Sequence, residues 1–185
     1  MTTNTFAANR IFLVGLPGAG KTTQGQALAA ALDWPFVDLD AEIERTQGRS
    51  VSAIFEEEGE DFFRVQEAAV LRQVGLRAPL ILATGGGTPC FHDSLDWLLA
   101  HGQVLWLDVA PAVIVTRLLS ASSASIGNRP LMAAAALSSP KATSTALLGL
   151  LNQTLTARAP FYGRATHRLT NSLAGVAAIR ALIGV

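Results

Sequence analysis

The chain has 185 residues, half of them hydrophobic and only 15% charged, with Lys plus Arg equal to Asp plus Glu. That length and composition suit one folded domain with a full core and exclude a disordered chain. The balanced charge excludes a global attraction to nucleic acid or membrane, so basic residues that matter must act locally. The single cysteine, Cys90, excludes an intramolecular disulfide and fits a reducing cytoplasm. Met1–Asn9 carries no basic cluster, and the apolar run after it is too short for a signal peptide. No run approaches the ~20 apolar residues that a membrane span needs. With no long apolar stripe left over, a monomer is expected.

In chain order, the apolar run Ile11–Val14 predicts a first strand. Gly15-Leu16-Pro17-Gly18-Ala19-Gly20-Lys21-Thr22 follows it and reads G-x-x-x-x-G-K-T, the phosphate-binding loop pattern. The helical-looking Thr23–Leu32 comes next, and Trp34-Pro35 separates it from a second strand, Phe36–Asp38. A helix is predicted over Ser50–Val74, a third strand over Leu80–Ala83, a helix over Phe91–Ala100 and a fourth strand over Val104–Asp108. This alternation predicts an α/β fold with a mostly parallel sheet and right-handed crossovers. Ser120–Asn128 is small and polar and precedes Arg129-Pro130-Leu131. An Ala-rich segment broken at Pro140, a helix from Lys141 to Arg158 and a last helix over Leu173–Ile183 complete the chain.

The loop pattern arises by chance in fewer than ~1% of chains this long. Its glycines let consecutive N–H groups point at phosphate oxygens, and the following helix adds its positive dipole end. Lys21 can reach the β- and γ-phosphates, and the Thr22 hydroxyl can ligate Mg²⁺. Asp38 and Asp40 are two apart at the end of the second strand, a spacing that puts both carboxylates on one face beside the loop. One can hold Mg²⁺ and the other accept a hydroxyl proton, while Asp40 can also serve as N-cap of a helix starting at Ala41. The third strand runs into Thr84, not an aspartate, so the metal carboxylate falls to Asp38. Arg64 and Glu67 share a helical face and can pair. Gly85, Gly86 and Gly87 allow close approach of a ligand or form a plain turn. Leu147, Leu151, Leu155 and Arg158 make one helical stripe, whose arginine either snorkels or clamps an anion.

Taken together, GLPGAGKT, FVDLD, IFEEEGEDFFRVQE, TGGGTP, NRPLM and ARAPFYGRA resemble the shikimate kinase family from about Arg10 to Leu182. The resemblance implies a nucleoside-monophosphate-kinase-like P-loop NTPase fold: a parallel five-stranded sheet flanked by helices. It implies a single kinase domain with a substrate-binding helical region near 40–75 and a mobile lid near 119–132. It implies transfer of the ATP γ-phosphoryl to the 3-hydroxyl of shikimate in aromatic amino-acid synthesis. By the same resemblance, Gly18, Ala19, Gly20, Lys21, Thr22 and Thr23 meet the nucleotide, and Thr22 and Asp38 serve Mg²⁺. Asp40 contacts the shikimate hydroxyls and acts as base, Arg64 and Arg158 grip the carboxylate, and Gly85, Gly86 and Gly87 line the ring. Arg129 is the lid arginine that neutralises the transferring phosphoryl. The adenine-stacking arginine of the family falls on Ser122, so Arg117 takes that role across an insertion of about five residues. Asn171 matches the adenine-side segment.

Other residues read as structural. His92, His101 and His167 lack metal-like spacing, Trp34, Trp97 and Trp106 read as packing, and Cys90 reads as an inert small hydrophobe. Two other activities fit part of the pattern. A gluconate kinase of the same fold would also use an arginine pair, and a nucleotide sensor without catalysis would keep the loop.

Overall fold

The structure is a computed structural model that describes residues 9–120, 140–170 and 175–184. Five parallel strands form one sheet in the order β2-β3-β1-β4-β5. They are β1 (Arg10–Val14), β2 (Phe36–Asp38), β3 (Leu80–Ala83), β4 (Gln103–Leu107) and β5 (His167–Leu169). β1, β3 and nearly all of β4 are buried along their length, as expected of strands covered on both faces. The covering helices are α1 (Lys21–Leu32), α2 (Leu39–Gln47), α3 (Val51–Val74), α4 (Ser94–His101), α5 (Pro111–Ser120), α6 (Pro140–Tyr162) and α7 (Val176–Ile183).

The chain leaves β1 toward one edge, returns to β3 at its side, then crosses to β4 on the other side. The carboxyl end of β1 is therefore the point where strand order reverses, and open α/β sheets bind ligands there. The phosphate-loop residues follow β1 directly.

Several expected boundaries shift. The fourth strand is Gln103–Leu107, and the short fifth strand has no apolar run to announce it. Phe91 does not open a helix: Thr88–Cys90 forms a 3₁₀ turn, and α4 starts only at Ser94. The helix expected from Lys141 to Arg158 is present and runs Pro140–Tyr162, with Pro140 at its first turn, while the Ala-rich segment before it lies outside the described residues. The second strand stops at Asp38, whose Oδ1 accepts from the Asp40 amide at 3.2 Å and so caps α2. Asp38, not Asp40, is thus the N-cap, and Asp40 sits in the first helical turn. The helix expected over Ser50–Val74 is present, but Gly59, at φ 82° and ψ 175°, kinks it into two parts. That backbone geometry is open to glycine and strained for other residues.

Arg10 ties the amino-terminal side of the sheet to the helices. Its buried side chain donates to the carbonyls of Leu76 (2.9 Å), Arg77 (3.0 Å) and His101 (3.2 Å). These lie at or just past the carboxyl ends of α3 and α4, where a cation also meets the negative ends of the helix dipoles. Trp97 packs beside it on Phe12, and His101 stacks on Trp97 at 4.1 Å while its Nδ1 meets the Trp97 carbonyl at 2.7 Å. Arg10→Met keeps the apolar stem but strands these carbonyls. Urea unfolding should show a loss of about 2–4 kcal/mol. A loss within 0.5 kcal/mol or so, typical of surface changes, would mean that the arginine is ornamental.

Candidate active site

The phosphate-loop residues bend back over β1. Gly15 has φ +141°, and a methyl group on it would lie 2.7 Å from the Leu107 carbonyl oxygen, so the turn against β4 needs glycine. Gly20, at φ 94°, is the N-cap of α1 and provides no side-chain cap. The first amides of α1 stay available to an anion, which the helix dipole also favours. Lys21 is buried at the start of α1, and its Nζ donates to the carbonyls of Gly15 (2.9 Å) and Leu16 (3.0 Å). Burial lowers its pKa to about 8, against the opposing pull of Asp40 and Asp38.

The next helix brings in the carboxylates. Thr22 Oγ1 donates to Asp38 Oδ2 at 2.8 Å, so Asp38 uses one oxygen for Thr22 and the other to cap α2. Asp40 is solvent-exposed as a residue and opens onto the cleft, its carboxylate set among the groups of the cleft walls. Burial there, and then the charges of Asp38 and Glu67, raise its pKa to about 6, with Lys21 and Arg64 opposing. The strand-face argument for this pair is replaced by another: one carboxylate ends the strand, and the other opens the helix.

The opposite wall comes from α3. Arg64 Nη1 donates to Glu67 Oε2 at 2.8 Å, and its Nε and Nη2 donate to Glu60 Oε1 at 3.1 and 2.9 Å. The Arg64–Glu67 pair is not a solvated one: their side chains are 9% and 2% exposed. Glu67 Oε1 also accepts from Thr88 Oγ1 at 2.6 Å, which links α3 to the glycine turn. The guanidinium carbon lies 4.5 Å from the centre of the Phe91 ring and 5.1 Å from that of Phe63. A methyl on Gly87 would come within 2.6 Å of Arg64 Nη2. A methyl on Gly85 would lie 2.8 Å from Glu67 Oε1 and 3.1 Å from Asp40 Oδ1, so the glycine turn is packed tightly against these groups.

Arg158 reaches the same turn from α6. A methyl on Gly86 would lie 3.0 Å from its Nη1 and 2.8 Å from Pro17 Cδ. Tyr162, one turn on, is fully buried and donates to the Gly86 carbonyl at 2.5 Å. Its burial pushes the phenol up to about 12, with Arg158 acting against that. Leu147 and Leu151 of the same helix are buried, which leaves Arg158, half-buried, at the cleft end of the stripe.

One cleft of about 750 Å³ joins these parts. Gly18, Ala19, Gly20, Lys21, Thr22 and Thr23 line one region. Asp38 and Asp40, then Arg64, Gly85, Gly86, Gly87 and Arg158, line the rest. Arg117, on α5, lines it too and comes near Gly20. Arg129, Asn171 and the segment after Ser120 expected to form the lid lie outside the described residues. The structure adds residues that sequence reasoning left out of the site: Glu67 and Tyr162 as supports, and Val51, Phe55 and Phe63 as apolar lining. Glu67 was visible as a pairing partner of Arg64, but its burial was not. Tyr162, four residues after Arg158, had the spacing of a helical neighbour. Cys90 is half-buried behind the turn, and burial pushes its thiol up, against the pull of Arg158 and Arg64, as suits an inert side chain.

Among the described residues, no cluster of three or more His, Cys, Asp or Glu side chains could hold a metal, and no helix is long and apolar enough to cross a membrane.

Comparison with known proteins places the chain in a family. The shikimate kinase family model matches residues 17–177. A shikimate kinase from Phocaeicola vulgatus is 39% identical over 158 residues, 85% of this chain and 84% of that one. One from Parasynechococcus marenigrum is 42% identical over 156 residues, 84% of this chain and 73% of that one. The crystal structure of shikimate kinase from Bacteroides thetaiotaomicron superimposes with a TM-score of 0.85 at 34% identity, over 95% of this chain and 98% of that one. A shikimate kinase from Acinetobacter baumannii, solved in complex with shikimate, gives a TM-score of 0.75 at 32% identity, over 95% and 93% of the two chains. A gluconokinase from Sinorhizobium meliloti is 15% identical with a TM-score of 0.56 over 96% and 90% of the chains, a likeness of fold alone. The chain belongs to the shikimate kinase family.

Proposed function

We propose that this chain transfers the γ-phosphoryl of ATP to the 3-hydroxyl of shikimate, giving ADP and shikimate 3-phosphate. The observation that carries the reading is the single cleft, with a phosphate loop in one part, two arginines in another and the Asp40 carboxylate opening into it. A phosphate loop alone would fit many phosphoryl donors. Two arginines beside a glycine turn select a small acid, because a guanidinium meets a carboxylate with paired charge-assisted bonds. Membership of the shikimate kinase family, and the shikimate-bound relative within it, favour shikimate over gluconate as that acid.

In this mechanism the loop amides and Lys21 hold the phosphates, with Arg117 on the nucleotide side and Arg129 given the role of neutralising charge on the transferring phosphoryl. Arg64 and Arg158 hold the carboxylate, and Gly85, Gly86 and Gly87 leave room for the ring. The hydroxyl oxygen attacks the γ-phosphorus, its proton passes to Asp40, and the bond to the ADP oxygen breaks. A pKa near 6 leaves Asp40 mostly ionised at neutral pH yet basic enough to take a proton. Thr22 Oγ1 and Asp38 Oδ2, 2.8 Å apart, are hard oxygen donors that fit Mg²⁺. Bound there with the phosphates, the metal would neutralise charge on the β- and γ-oxygens. Mg²⁺ is normally held by one or two carboxylates plus phosphates, so no larger acidic cage is needed.

Three outcomes follow. Arg64→Ala and Arg158→Ala should each weaken shikimate by about 1.5–3 kcal/mol in calorimetric titration and leave ATP nearly untouched. Equal weakening of both ligands would make these arginines structural. Asp40→Asn should lower turnover by about 10²–10⁴-fold while ATP still binds. A variant keeping half of the wild-type rate would remove Asp40 from the chemistry.

The third outcome concerns pH. Asp40 works ionised, so kcat/KM for shikimate should fall as pH drops through about 6, and Asp40→Asn should lose that limb. The folded pKa lies above the ordinary aspartate value, so ionising Asp40 opposes folding by an amount that builds between 3.8 and about 6 and is reduced by solvent screening at this exposed residue. The asparagine variant should therefore be at least as stable as the parent at pH 7, as read by thermal melting. A less stable variant would mean that the carboxylate supports the fold instead.

A further inference from the structure

Arg64 already holds two carboxylates of its own helix. Nη1 goes to Glu67, while Nε and Nη2 converge on one oxygen of Glu60. The two partners differ in how firmly they are held. Glu67 is 2% exposed and also bonded by Thr88, whereas Glu60 is 54% exposed and has open water beside it. The guanidinium has little freedom to turn toward a new partner. Phe91 and Phe63 lie with ring centres 4.5 and 5.1 Å from its carbon, and the backbone of Gly87 is close enough that a methyl there would come within 2.6 Å of Nη2. Glu67 is too buried to leave Nη1, so a carboxylate that takes paired bonds from Arg64 either draws on the Nε/Nη2 edge that Glu60 holds or sits on the remaining Nη hydrogens directly beside Glu60. Two carboxylates at contact distance on one edge repel each other.

We propose that Glu60 is an internal competitor for the substrate carboxylate: it occupies the outer edge of Arg64, and the acid takes its seat by sending Glu60 into solvent. The inference rests on the reading of Arg64 as an arginine that meets the acid. It makes Glu60 a specificity-determining residue. A neutral polyol brings no charge to replace the lost pair, whereas a carboxylate restores it. Only the Glu60 end of the pair is exposed, so water can take up the released carboxylate, and the cost of parting stays at roughly the two- to fivefold of surface pairs.

The test is calorimetric titration of shikimate and of ATP, separately, on the whole protein and on Glu60→Gln, Glu60→Ala and Arg64→Ala. Both Glu60 variants should bind shikimate about two- to fivefold more tightly with ATP affinity unchanged. In steady-state assays the change should sit in the KM for shikimate and not in that for ATP. The gain should shrink in high salt, which screens the Glu60–Arg64 pair, and it should vanish when Arg64→Ala is added. Unchanged or weaker shikimate binding in the Glu60 variants, with Arg64→Ala still damaging, would overturn the competitor and make Glu60 a support for Arg64. If Arg64→Ala leaves shikimate affinity intact, the carboxylate seat itself is lost, and the competitor falls with it. Glu60 is exposed, so both substitutions should leave the melting temperature within a degree or two, which separates binding effects from folding.

Discussion

The buried pair of Arg64 and Glu67 sets the geometry of the cleft where it meets the glycine turn. A charge with 9% exposure facing one with 2% gains little net stability over an apolar pair, because desolvation offsets the attraction. Its consequence is geometric. Glu67 also takes the Thr88 hydroxyl, so the pair fixes α3 to the turn that follows β3. That turn is fixed again from α6, where Tyr162 holds the Gly86 carbonyl. Three elements distant in sequence thus converge on Gly85, Gly86 and Gly87, and a side chain at any of these would collide with a charged or ring atom.

Charge balance explains how the cleft stays usable. Asp38, Asp40 and Glu67 stand among Lys21, Arg64 and Arg158, and the cations and carboxylates nearly neutralise each other in a small volume. Burial still moves both catalytic candidates toward neutrality: Lys21 to about 8 and Asp40 to about 6. Incoming phosphates add negative charge next to Lys21 and favour its charged form. The hydrogen bonds of Lys21 to the Gly15 and Leu16 carbonyls meanwhile satisfy two of its three donors inside the loop.

Much of this was legible in the sequence. The phosphate loop needed only its pattern and flanks, since the glycines at positive φ and the helix start are local matters. The alternation of apolar runs led to a parallel α/β sheet, but β5, His-Arg-Leu with an exposed residue between two half-buried ones, offered no such run. Asp38 and Asp40 were placed beside the loop for an incomplete reason. Strand alternation and a helix cap both bring carboxylates there, and only the hydrogen bond from the Asp40 amide separates the two. The kink at Gly59 was hidden because the apolar pattern of α3 runs through it, with Phe55 and Phe63 meeting across the break at 4.6 Å. The burial of Glu67 depends on Thr88 and Gly85, about twenty residues away, and no local window reports a contact of that range.

The central claim is that one cleft joins a nucleotide site to a seat for shikimate and moves a phosphoryl group between them. The most direct measurement is ADP release from ATP and Mg²⁺, followed by a coupled assay without acceptor, with shikimate and with gluconate, and with the product identified by phosphorus NMR. The account predicts ADP release that depends on shikimate, with phosphate on the 3-hydroxyl. Release that ignores shikimate, or that gluconate stimulates more strongly, would contradict it.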